Sequence, residues 1–325
     1  MGKRDKILII RFHAFGDLVA ILPYVNALRK AHPHTQIDLL TAERVITIPE
    51  NIILFDRVIG IKGGMQAKKL FLGAMLKWPL LLFQRYDTII DLQADRKSKL
   101  LLRLLGHHKA PVFDKYGDYF AGLRYQKAIQ NSGFSTTADF QLSLKSSELG
   151  INKLKEAGWD GKSKLIVLNP AGYYTSRNWP MANYLSFIAL LEKELAYDFK
   201  ILFIGDDRIA EKAQTMSNAF PERCLNLVGK TSQLEAFSIL PKIQLMLTED
   251  SGLAHMAWVQ GVKICLMLGS TRADWTAPPY DHVVNLTSSD LECGDCMEPV
   301  CKHGDVPCLT RYTPALVYAQ IAKWL

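Results

Sequence analysis

Several patterns that would place this chain in a class at once are missing from it. The longest apolar stretch, residues 70–83, contains Lys77 and Pro79 and falls short of the roughly 20 residues that a membrane-spanning helix needs. The apolar run at residues 7–10 is too short for the core of a signal peptide, so we expect a cytoplasmic protein. Neither the Gly-x-Gly-x-x-Gly turn of dinucleotide-binding proteins nor a Walker phosphate loop occurs.

The composition is that of a globular chain with enough apolar residues for two cores. Its 325 residues are 49% hydrophobic and contain neither an internal repeat nor a low-complexity segment, which excludes a fibre or a disordered chain. The net charge of +7 is uneven, because residues 1–150 hold 22 Lys and Arg against 13 Asp and Glu, whereas residues 151–325 hold 17 against 19. The first half is suited to an anionic partner or surface, and a basic surface that only keeps the protein soluble fits equally.

Short β-rich runs alternate with helical patterns along most of the chain, which is typical of parallel sheets covered by helices. The strands predicted in the first half are residues 7–12, 36–41, 52–60 and 87–92, with a weaker one near 110–113; those in the second half are 164–169, 199–204, 224–228, 243–247 and 263–268. The simplest interpretation of this pattern is the α/β fold class, with two doubly wound parallel-sheet domains. Ligands bind beyond the carboxyl ends of such strands, so we expect loops of both domains to face a cleft.

The first strand leads into Gly16-Asp17 and then into a buried helical pattern. Gly16 permits a tight turn, which places Asp17 at the start of the helix. The carboxylate can cap the helix and do nothing more, the commonest use of Asp at this position, or it can act as a general base. Both interpretations stand at this point.

Residues 248–255 form a junction in which an apolar run gives way to helical spacing. Asp250 or Ser251 can cap the helix, and Gly252 removes the side chain that would keep a ligand away from the backbone. The free N–H groups of the helix start then favour an anion, although an ordinary strand-to-helix junction is the alternative.

A matching turn lies at residues 169–180, where small residues, two hydroxyls and Arg177 precede Pro180, which can open a helix. As a plain loop this composition would be unremarkable. Together with the junction at 248–255, it predicts a site for a diphosphate.

The chain resembles glycosyltransferase family 9, which includes the ADP-heptose:lipopolysaccharide heptosyltransferases. The resemblance rests on blocks that follow the family's order and cover most of the chain: Gly16-Asp17 with Leu22-Pro23, residues 91–98, Asn169-Pro170 with residues 177–180, and residues 226–231, 250–255 and 269–271. It implies a GT-B fold of two Rossmann-like domains. We expect an acceptor-binding domain at residues 1–155, a donor-binding domain at 156–312, and a C-terminal helix at 313–325 that packs back on the first domain.

The chain departs from the family's pattern at two positions that bear on donor and acceptor choice. Ala94 stands where Gly is frequent, and Asn178 stands where a second basic residue is frequent.

The resemblance also implies roles for individual residues. Asp17 is similar to the general base that deprotonates the acceptor hydroxyl, and His13 and Lys97 are similar to acceptor-side contacts. The implied donor contacts are Asn169, Thr175, Ser176, Arg177, Asp250, Ser251, Gly252, Leu253 and His255, with Glu211 at the nucleoside end.

The expected reaction is an inverting, metal-independent transfer of a sugar, heptose from ADP-heptose, onto an inner-core acceptor of lipopolysaccharide or lipooligosaccharide. Arg177 and the helix start can stabilise the leaving diphosphate, and nothing in the chain resembles the Asp-x-Asp of metal-dependent transferases. No cofactor is expected for catalysis.

An acceptor linked to lipid A would place the protein at the anionic inner face of the cytoplasmic membrane, as a peripheral protein. Residues 68–83 combine lysines and Trp78 with many leucines, which suits a membrane interface. A buried helix of the first domain, kinked at Pro79, is the alternative.

Four of the six cysteines, Cys293, Cys296, Cys301 and Cys308, lie close together in the sequence. In a reducing cytoplasm this spacing favours a structural zinc over disulfides, with free thiols as the alternative. Any such metal is expected to be remote from the transfer chemistry.

Two other functions compete with glycosyl transfer. A nucleotide-sugar epimerase of similar GT-B architecture would need neither an acceptor nor a basic half. A non-enzymatic nucleic-acid-binding protein would use the basic half and the cysteines, but the chain has neither an aromatic-rich RNA signature nor a zinc-finger pattern, so no nucleic-acid partner is expected.

Overall fold

The computed structural model describes residues 5–12, 14–63, 67–107, 109–146 and 148–325, and the chain divides into two compact units, Met1–Ser146 and Ser147–Leu325. The division falls earlier than the boundary expected after residue 155. Helix α7 (Glu148–Glu156) accounts for the difference, because it packs against α10 (Gln233–Ile239) of the second unit. The contact is close: a side chain on Gly150 would meet the backbone nitrogen of Ile239 at 2.6 Å.

The first unit is built on a parallel sheet in the order β3-β2-β1-β4. Its strands are β1 (Lys6–Ile10), β2 (Gln36–Ala42), β3 (Arg57–Ile61) and β4 (Thr88–Asp91). Its helices are α1 (Phe15–Ala20), α2 (Leu22–Ala31), α3 (Thr47–Asn51), α4 (Ala67–Gln84), α5 (Arg96–Leu104) and α6 (Ala121–Gln130). The central strand β1 is an almost continuous apolar run because it is buried on both faces.

The second unit contains a longer parallel sheet in the order β10-β9-β8-β5-β6-β7. Its strands are β5 (Lys164–Asn169), β6 (Phe199–Phe203), β7 (Cys224–Asn226), β8 (Leu245–Glu249), β9 (Ile264–Met267) and β10 (Val283–Leu286). Besides α7 and α10, its helices are α8 (Met181–Glu194), α9 (Ala210–Ala219), α11 (Gly252–Trp258), α12 (Ala273–Thr276), α13 (Pro307–Thr310) and α14 (Pro314–Ile321). Since β5, β8 and β9 are neighbours, the loops that follow them meet at one edge.

The strand predictions differ from the structure in informative places. The predicted strand at residues 52–60 begins only at Arg57, and Ile52 instead makes an isolated bridge to Leu144. The weak strand near 110–113 is an isolated bridge between Asp91 and Val112. Strand β10 escapes sequence analysis because its edge position leaves most of its residues only half-buried.

The C-terminal helix α14 lies in the second unit, where it packs against α8. Val317, Ile321 and Trp324 join the buried cluster that contains Trp179. The apolar side chains of this helix thus cover the α8 side of the second core, and its packing on the first domain stays a prediction.

Within the described part of the chain, none of the helices combines the length and the apolar character that a bilayer crossing requires.

Candidate functional site

In the first unit, Asp17 lies in a small basic pocket at the start of α1. A cavity of about 280 Å³ is lined by Arg11, Ala14, Asp17, Gln93, Phe113, Lys115, Ala121, Arg124 and Tyr125. Arg11 forms an ion pair with Asp17, and the hydroxyl of Tyr125 donates to its Oδ1 at 3.3 Å. The carboxylate is held by these neighbours and yet 45% exposed, so a ligand can reach it.

Asp17 makes a capping contact as well as its contacts inside the pocket. The backbone N–H of Ala14, the N-cap of α1, donates to the Asp17 carboxylate at 3.3 Å. Arg11 and Tyr125 hold the same carboxylate in addition. Burial raises the pKa of Tyr125, so its phenol stays protonated and keeps donating at neutral pH.

The block at residues 91–98 forms the turn between β4 and α5. Asp91 is fully buried and accepts from the backbone N–H groups of Gln93 and Ala94 and from the hydroxyl of Ser98. Burial raises the pKa of the Asp91 carboxyl. Asp95 caps α5, since its Oδ1 accepts from Lys97 and Ser98 at 2.8 Å.

The two predicted acceptor contacts, Lys97 and His13, stay predictions. Lys97 is the second residue of α5 and half-buried, and it is not among the described residues that line the Asp17 pocket. His13 lies outside the described residues. The pocket instead contains Lys115 and Arg124, which sequence analysis did not select.

In the second unit, the loops after β5, β8 and β9 converge. Asn169, the last residue of β5, is buried and donates to the hydroxyls of Thr248 and Ser251 at 3.0 and 2.8 Å. Asn169 thus connects the ends of β5 and β8, which brings residues 169–180 beside the junction at 248–255.

Arg177 is the charged centre of this convergence. It is 9% exposed, its Nη1 donates to Asp250 at 3.1 Å, and its guanidinium lies over the Tyr174 ring at 4.7 Å from the centroid. The hydroxyl of Thr271, after β9, donates to the same Asp250 oxygen at 2.9 Å. One carboxylate therefore fixes a guanidinium from the first of these loops and a hydroxyl from the third.

The hydroxyls of Thr175 and Ser176 are bonded to the protein itself. Thr175 donates to the carbonyl of Pro299 at 3.0 Å. Ser176 is buried, and its hydroxyl bonds to the carbonyl of Glu298 and to Ser270. Their role as diphosphate contacts stays a prediction, and their observed role is to anchor the loop.

At the helix start, Ser251 provides the cap, and Asp250 pairs with Arg177 instead of capping. The hydroxyl of Ser251 accepts from the backbone N–H of Ala254 at 3.2 Å. Gly252 opens α11 and is exposed, whereas Leu253 is 9% exposed. His255 is half-buried and accepts at Nδ1 from the indole N–H of Trp258 at 3.2 Å, so its ring is held by its own helix.

Glu211 lies exposed at the second position of α9, consistent with a position that a ligand could reach. The residue that follows it, Lys212, was missed by sequence analysis. Its ammonium donates to the carbonyl of Pro170 at 2.9 Å and to the side chain of Asn178.

Glu249 was also missed, although it is the most deeply buried acid of the site. It is 0% exposed at the end of β8 and accepts from the backbone N–H groups of Gly172 and Trp179, both at 2.6 Å. An acidic pair at a strand end, Glu249-Asp250, was the signal available in the sequence.

The cysteine segment, residues 293–308, lies directly against residues 172–179, which are called the donor loop below. The expectation that a metal in this segment is remote from the transfer chemistry stays a prediction. The carbonyls of Glu298 and Pro299 accept from Ser176 and Thr175, and the thiol of Cys308 is 3.9 Å from the carbonyl of Ser176. Cys293, Cys296, Cys301 and Cys308 line one cavity of about 300 Å³ together with His303.

All four cysteines of this segment are free thiols, and burial raises the pKa of Cys308 to about 11. Among the described residues, no three His, Cys, Asp or Glu side chains are arranged to hold a metal ion.

The comparison that decides the family covers both units. The family model described as "Glycosyltransferase family 9 (heptosyltransferase)" matches residues 78–306. This chain belongs to glycosyltransferase family 9. The resemblance inferred from the sequence blocks is confirmed, and the chain is a glycosyltransferase.

Two proteins similar to this family 9 chain match it over nearly their whole length. The lipooligosaccharide heptosyltransferase 2 of Campylobacter jejuni serotype O:6 is 26% identical, with 95% of each chain covered. The structure of a glycosyl transferase family 9 protein from Veillonella parvula aligns with a TM-score of 0.79 at 18% identity, covering 100% of this chain and 98% of that one.

The E. coli heptosyltransferase WaaC with ADP-2-deoxy-2-fluoro heptose aligns with a TM-score of 0.70 at 18% identity, covering 98% and 99% of the two chains. The GT-B fold class predicted for this family 9 member is confirmed.

Proposed function

We propose that this family 9 enzyme transfers heptose from ADP-heptose onto a sugar of the lipopolysaccharide or lipooligosaccharide inner core. The names of its relatives support this reaction, since they are heptosyltransferases of those acceptors and one neighbour was solved with an ADP-heptose analogue. The observation that carries the proposal is Arg177 beside the start of α11, where a buried guanidinium can stabilise a leaving diphosphate.

The acceptor side is supported by the pocket around Asp17. An attacking hydroxyl must lose its proton as the glycosidic bond forms, and a positioned carboxylate can accept that proton. Asp17 is exposed enough for contact and is oriented by Arg11 and Tyr125. The nearby Arg124 and Lys115 suit an acceptor that carries acidic groups close to the reacting hydroxyl.

The stereochemical course follows from a single displacement. Attack by the acceptor oxygen on the anomeric carbon, with departure of ADP from the opposite face, inverts that carbon. The protein then needs one base, Asp17, and stabilisation of the developing diphosphate charge, which Arg177 supplies.

The decisive experiment replaces the base. Asp17→Asn keeps the size of the side chain but removes its basicity, so we expect turnover to fall by roughly 10³-fold while the dissociation constant for ADP stays within about twofold. Transfer is measured with ADP-heptose and a core acceptor, and ADP binding by calorimetry. Near-normal turnover in this variant would remove Asp17 from the mechanism.

We also propose that the enzyme is a cytoplasmic protein that works peripherally on the anionic inner face of the membrane. The supporting surface is the α4–α5 face, the outer sides of these two helices. On α4, a stripe of apolar side chains at i, i+4, i+8 and i+11 is exposed: Leu72 (62%), Leu76 (82%), Leu80 (44%) and Phe83 (82%). This exposed stripe favours a membrane-interface surface over a buried helix, and α4 runs through Pro79 to Gln84.

The charges of the α4–α5 face suit anionic lipid. On α5, Leu100 and Leu104 are exposed beside Arg96, Lys99 and Arg103. Neither helix contains an Asp or a Glu. The indole of Trp78 donates to the carbonyl of Leu104 at 3.1 Å and so holds the two helices together. Exposed apolar side chains on helices whose charged residues are all cationic are typical of a membrane-interface surface.

The inner side of α4 packs closely within the first unit, and this packing holds the α4–α5 face in place. A side chain on Gly73 would lie 2.2 Å from the carbonyl oxygen of Lys62, so the helix approaches the end of β3 as closely as a glycine allows. Ala74 and Leu81 are buried on the same inner side. The exposed stripe is therefore the outer half of a firmly packed helix.

A structural metal in the cysteine segment is the last part of the proposal. Four thiols and His303 line one cavity, and thiolates with an imidazole are the ligand types that zinc favours. Bound zinc would hold the segment that accepts hydrogen bonds from Thr175 and Ser176.

A further inference from the structure

Glu249 occupies an unusual position for an acid. It ends β8, is completely buried, and precedes Asp250, which pairs with Arg177 on the other side of the chain. Glu249 is the last residue of the strand, and Asp250 is the first residue after it. Glu249 accepts from backbone N–H groups of the donor loop, and Asp250 contacts the guanidinium of the same loop.

The Glu249 carboxylate closes the donor loop at both ends. Its Oε2 accepts from the N–H of Gly172 and its Oε1 from the N–H of Trp179, each at 2.6 Å. Between these two residues lie Thr175, Ser176 and Arg177. The hydroxyl of Tyr184 adds a longer bond to Oε1 at 3.2 Å.

The loop is too compact at Gly172 to keep its shape with another residue there. A Cβ at this position would be 2.2 Å from the carbonyl oxygen of Arg177 and 2.9 Å from Oε2 of Glu249. The loop therefore folds back on itself directly over the carboxylate.

Lys212 braces the same loop from α9. Its ammonium donates to the carbonyl of Pro170 and to the side-chain oxygen of Asn178. The amide of Asn178 in turn donates to the carbonyls of Gly172 and Tyr174. The donor loop is thus held by one buried anion and one cation.

We propose that Glu249 is a positioning residue for the donor: its ionised carboxylate, assisted by Lys212, holds residues 172–179 in the shape that presents Arg177 to the diphosphate. The proposal rests on the proposed function, since it assumes that this loop binds the donor. Glu249 itself touches no reacting atom, because it is covered by the loop.

The ionisation of Glu249 falls near neutrality, so the brace depends on pH. Burial raises the pKa of Glu249 to about 7, against the lowering effect of Lys212 and of the two backbone N–H groups. The other titratable groups at this position are Tyr184 from α8, which bonds to Glu249, and Cys265 of β9, which acts on Tyr184; the Asp250–Arg177 pair follows in the chain. Protonation weakens acceptance from two N–H groups at once, so donor affinity should fall as the pH drops through about 7.

The test compares Glu249→Gln with wild type, using ADP binding and the kinetics of transfer. Glutamine keeps the volume but presents an NH₂ group to one of the two backbone N–H donors. We expect the dissociation constant for ADP and the KM for ADP-heptose to rise about tenfold, while kcat changes less than about threefold. Glu222→Gln is the matched control, because it makes the same substitution at an exposed acid outside the donor loop, and its donor KM should stay within about twofold of wild type.

A second variant separates positioning from general loss of structure. Lys212→Met removes a neighbour that lowers the pKa of Glu249, so this pKa should rise. ADP affinity should therefore weaken at a higher pH in Lys212→Met than in the wild type. In Glu249→Gln the same pH dependence should disappear. If Glu249→Gln fails to fold, an unshifted pH profile of Lys212→Met overturns the proposal by itself.

Unchanged ADP affinity in Glu249→Gln, or an unchanged pH profile in Lys212→Met, would overturn the brace while leaving the proposed function intact. Failure of the wild-type protein to bind ADP or ADP-heptose would instead overturn the proposed function.

Discussion

Ala94 shows how one residue can carry strain in a turn. Its φ is +54°, in the left-handed region, and its N–H donates to the buried Asp91 in the turn that starts α5. The Cβ of a non-glycine residue makes this conformation unfavourable, and glycine is frequent here in the family the chain resembles.

We therefore predict that Ala94→Gly stabilises the protein by up to about 1 kcal/mol, because relief of backbone strain outweighs the extra freedom of glycine in the unfolded chain. Urea unfolding measures the change. Ala110→Gly is the control at a nearby loop position with ordinary backbone angles, and it should cost about 0.5–1 kcal/mol. Destabilisation by both substitutions to a similar extent would show that Ala94 is not strained.

Single residues also show what sequence alone can and cannot say about this site. The sequence correctly selects Arg177 and Asp250 as members of one cluster, because both follow strands that are adjacent in a parallel sheet. It cannot tell which of Asp250 and Ser251 caps α11, since either side chain suits a cap. That choice is decided by Arg177, a partner more than 70 residues away in the chain.

At the level of elements, β8 extends two residues beyond its apolar run, as far as Glu249. Hydrophobicity marks the end of this strand too early, because the buried side chains of Thr248 and Glu249 are polar and accept hydrogen bonds from Asn169 and from the donor loop. Both residues still pair with β9, opposite Leu266 and Met267. The C-terminal end of this strand therefore has no apolar residues. For this reason the sequence does not identify Glu249 as a residue that holds the donor loop.

Among the elements of the second unit, displacement of the cysteine segment should disturb the structure of the donor loop most. If it binds zinc, Cys293→Ser combined with Cys296→Ser should lose the metal and weaken ADP binding several-fold, because Thr175 and Ser176 depend on carbonyls at residues 298 and 299. Elemental analysis of protein purified under reducing conditions and calorimetry with ADP measure the two effects. Cys224→Ser, in β7, is the control and should change neither. Wild-type protein without zinc would contradict the metal proposal.

For the molecule as a whole, alternating strands and helices were sufficient to predict two parallel-sheet units, because a parallel sheet requires a crossover between each pair of strands. The position of α14 was not predictable in the same way. An apolar stripe shows that the helix needs a surface, but it does not say which core has room for it. In the structure this surface is α8 of the second unit, which is distant from α14 in the sequence.

The uneven charge of the molecule leads to a prediction about where it works. The excess of Lys and Arg in residues 1–150 includes the cations of the α4–α5 face, where they surround exposed apolar side chains. Wild-type protein should float with vesicles of phosphatidylglycerol and phosphatidylethanolamine at low salt, and binding should weaken at high salt because the ions screen the attraction.

Leu76→Glu combined with Phe83→Glu should lower vesicle binding at least tenfold, since each apolar side chain buried in the interface contributes about 1.5–3 kcal/mol and each carboxylate is repelled. The control combines Ile53→Glu with Leu149→Glu, two exposed apolar positions outside this face, and should bind nearly as well as wild type even though it carries the same added charge. Both variants should retain transfer to a soluble acceptor fragment, because neither alters the Asp17 pocket or the donor loop. Equal flotation of the two variants would mean that net charge, and not the α4–α5 face, governs the attraction to the membrane.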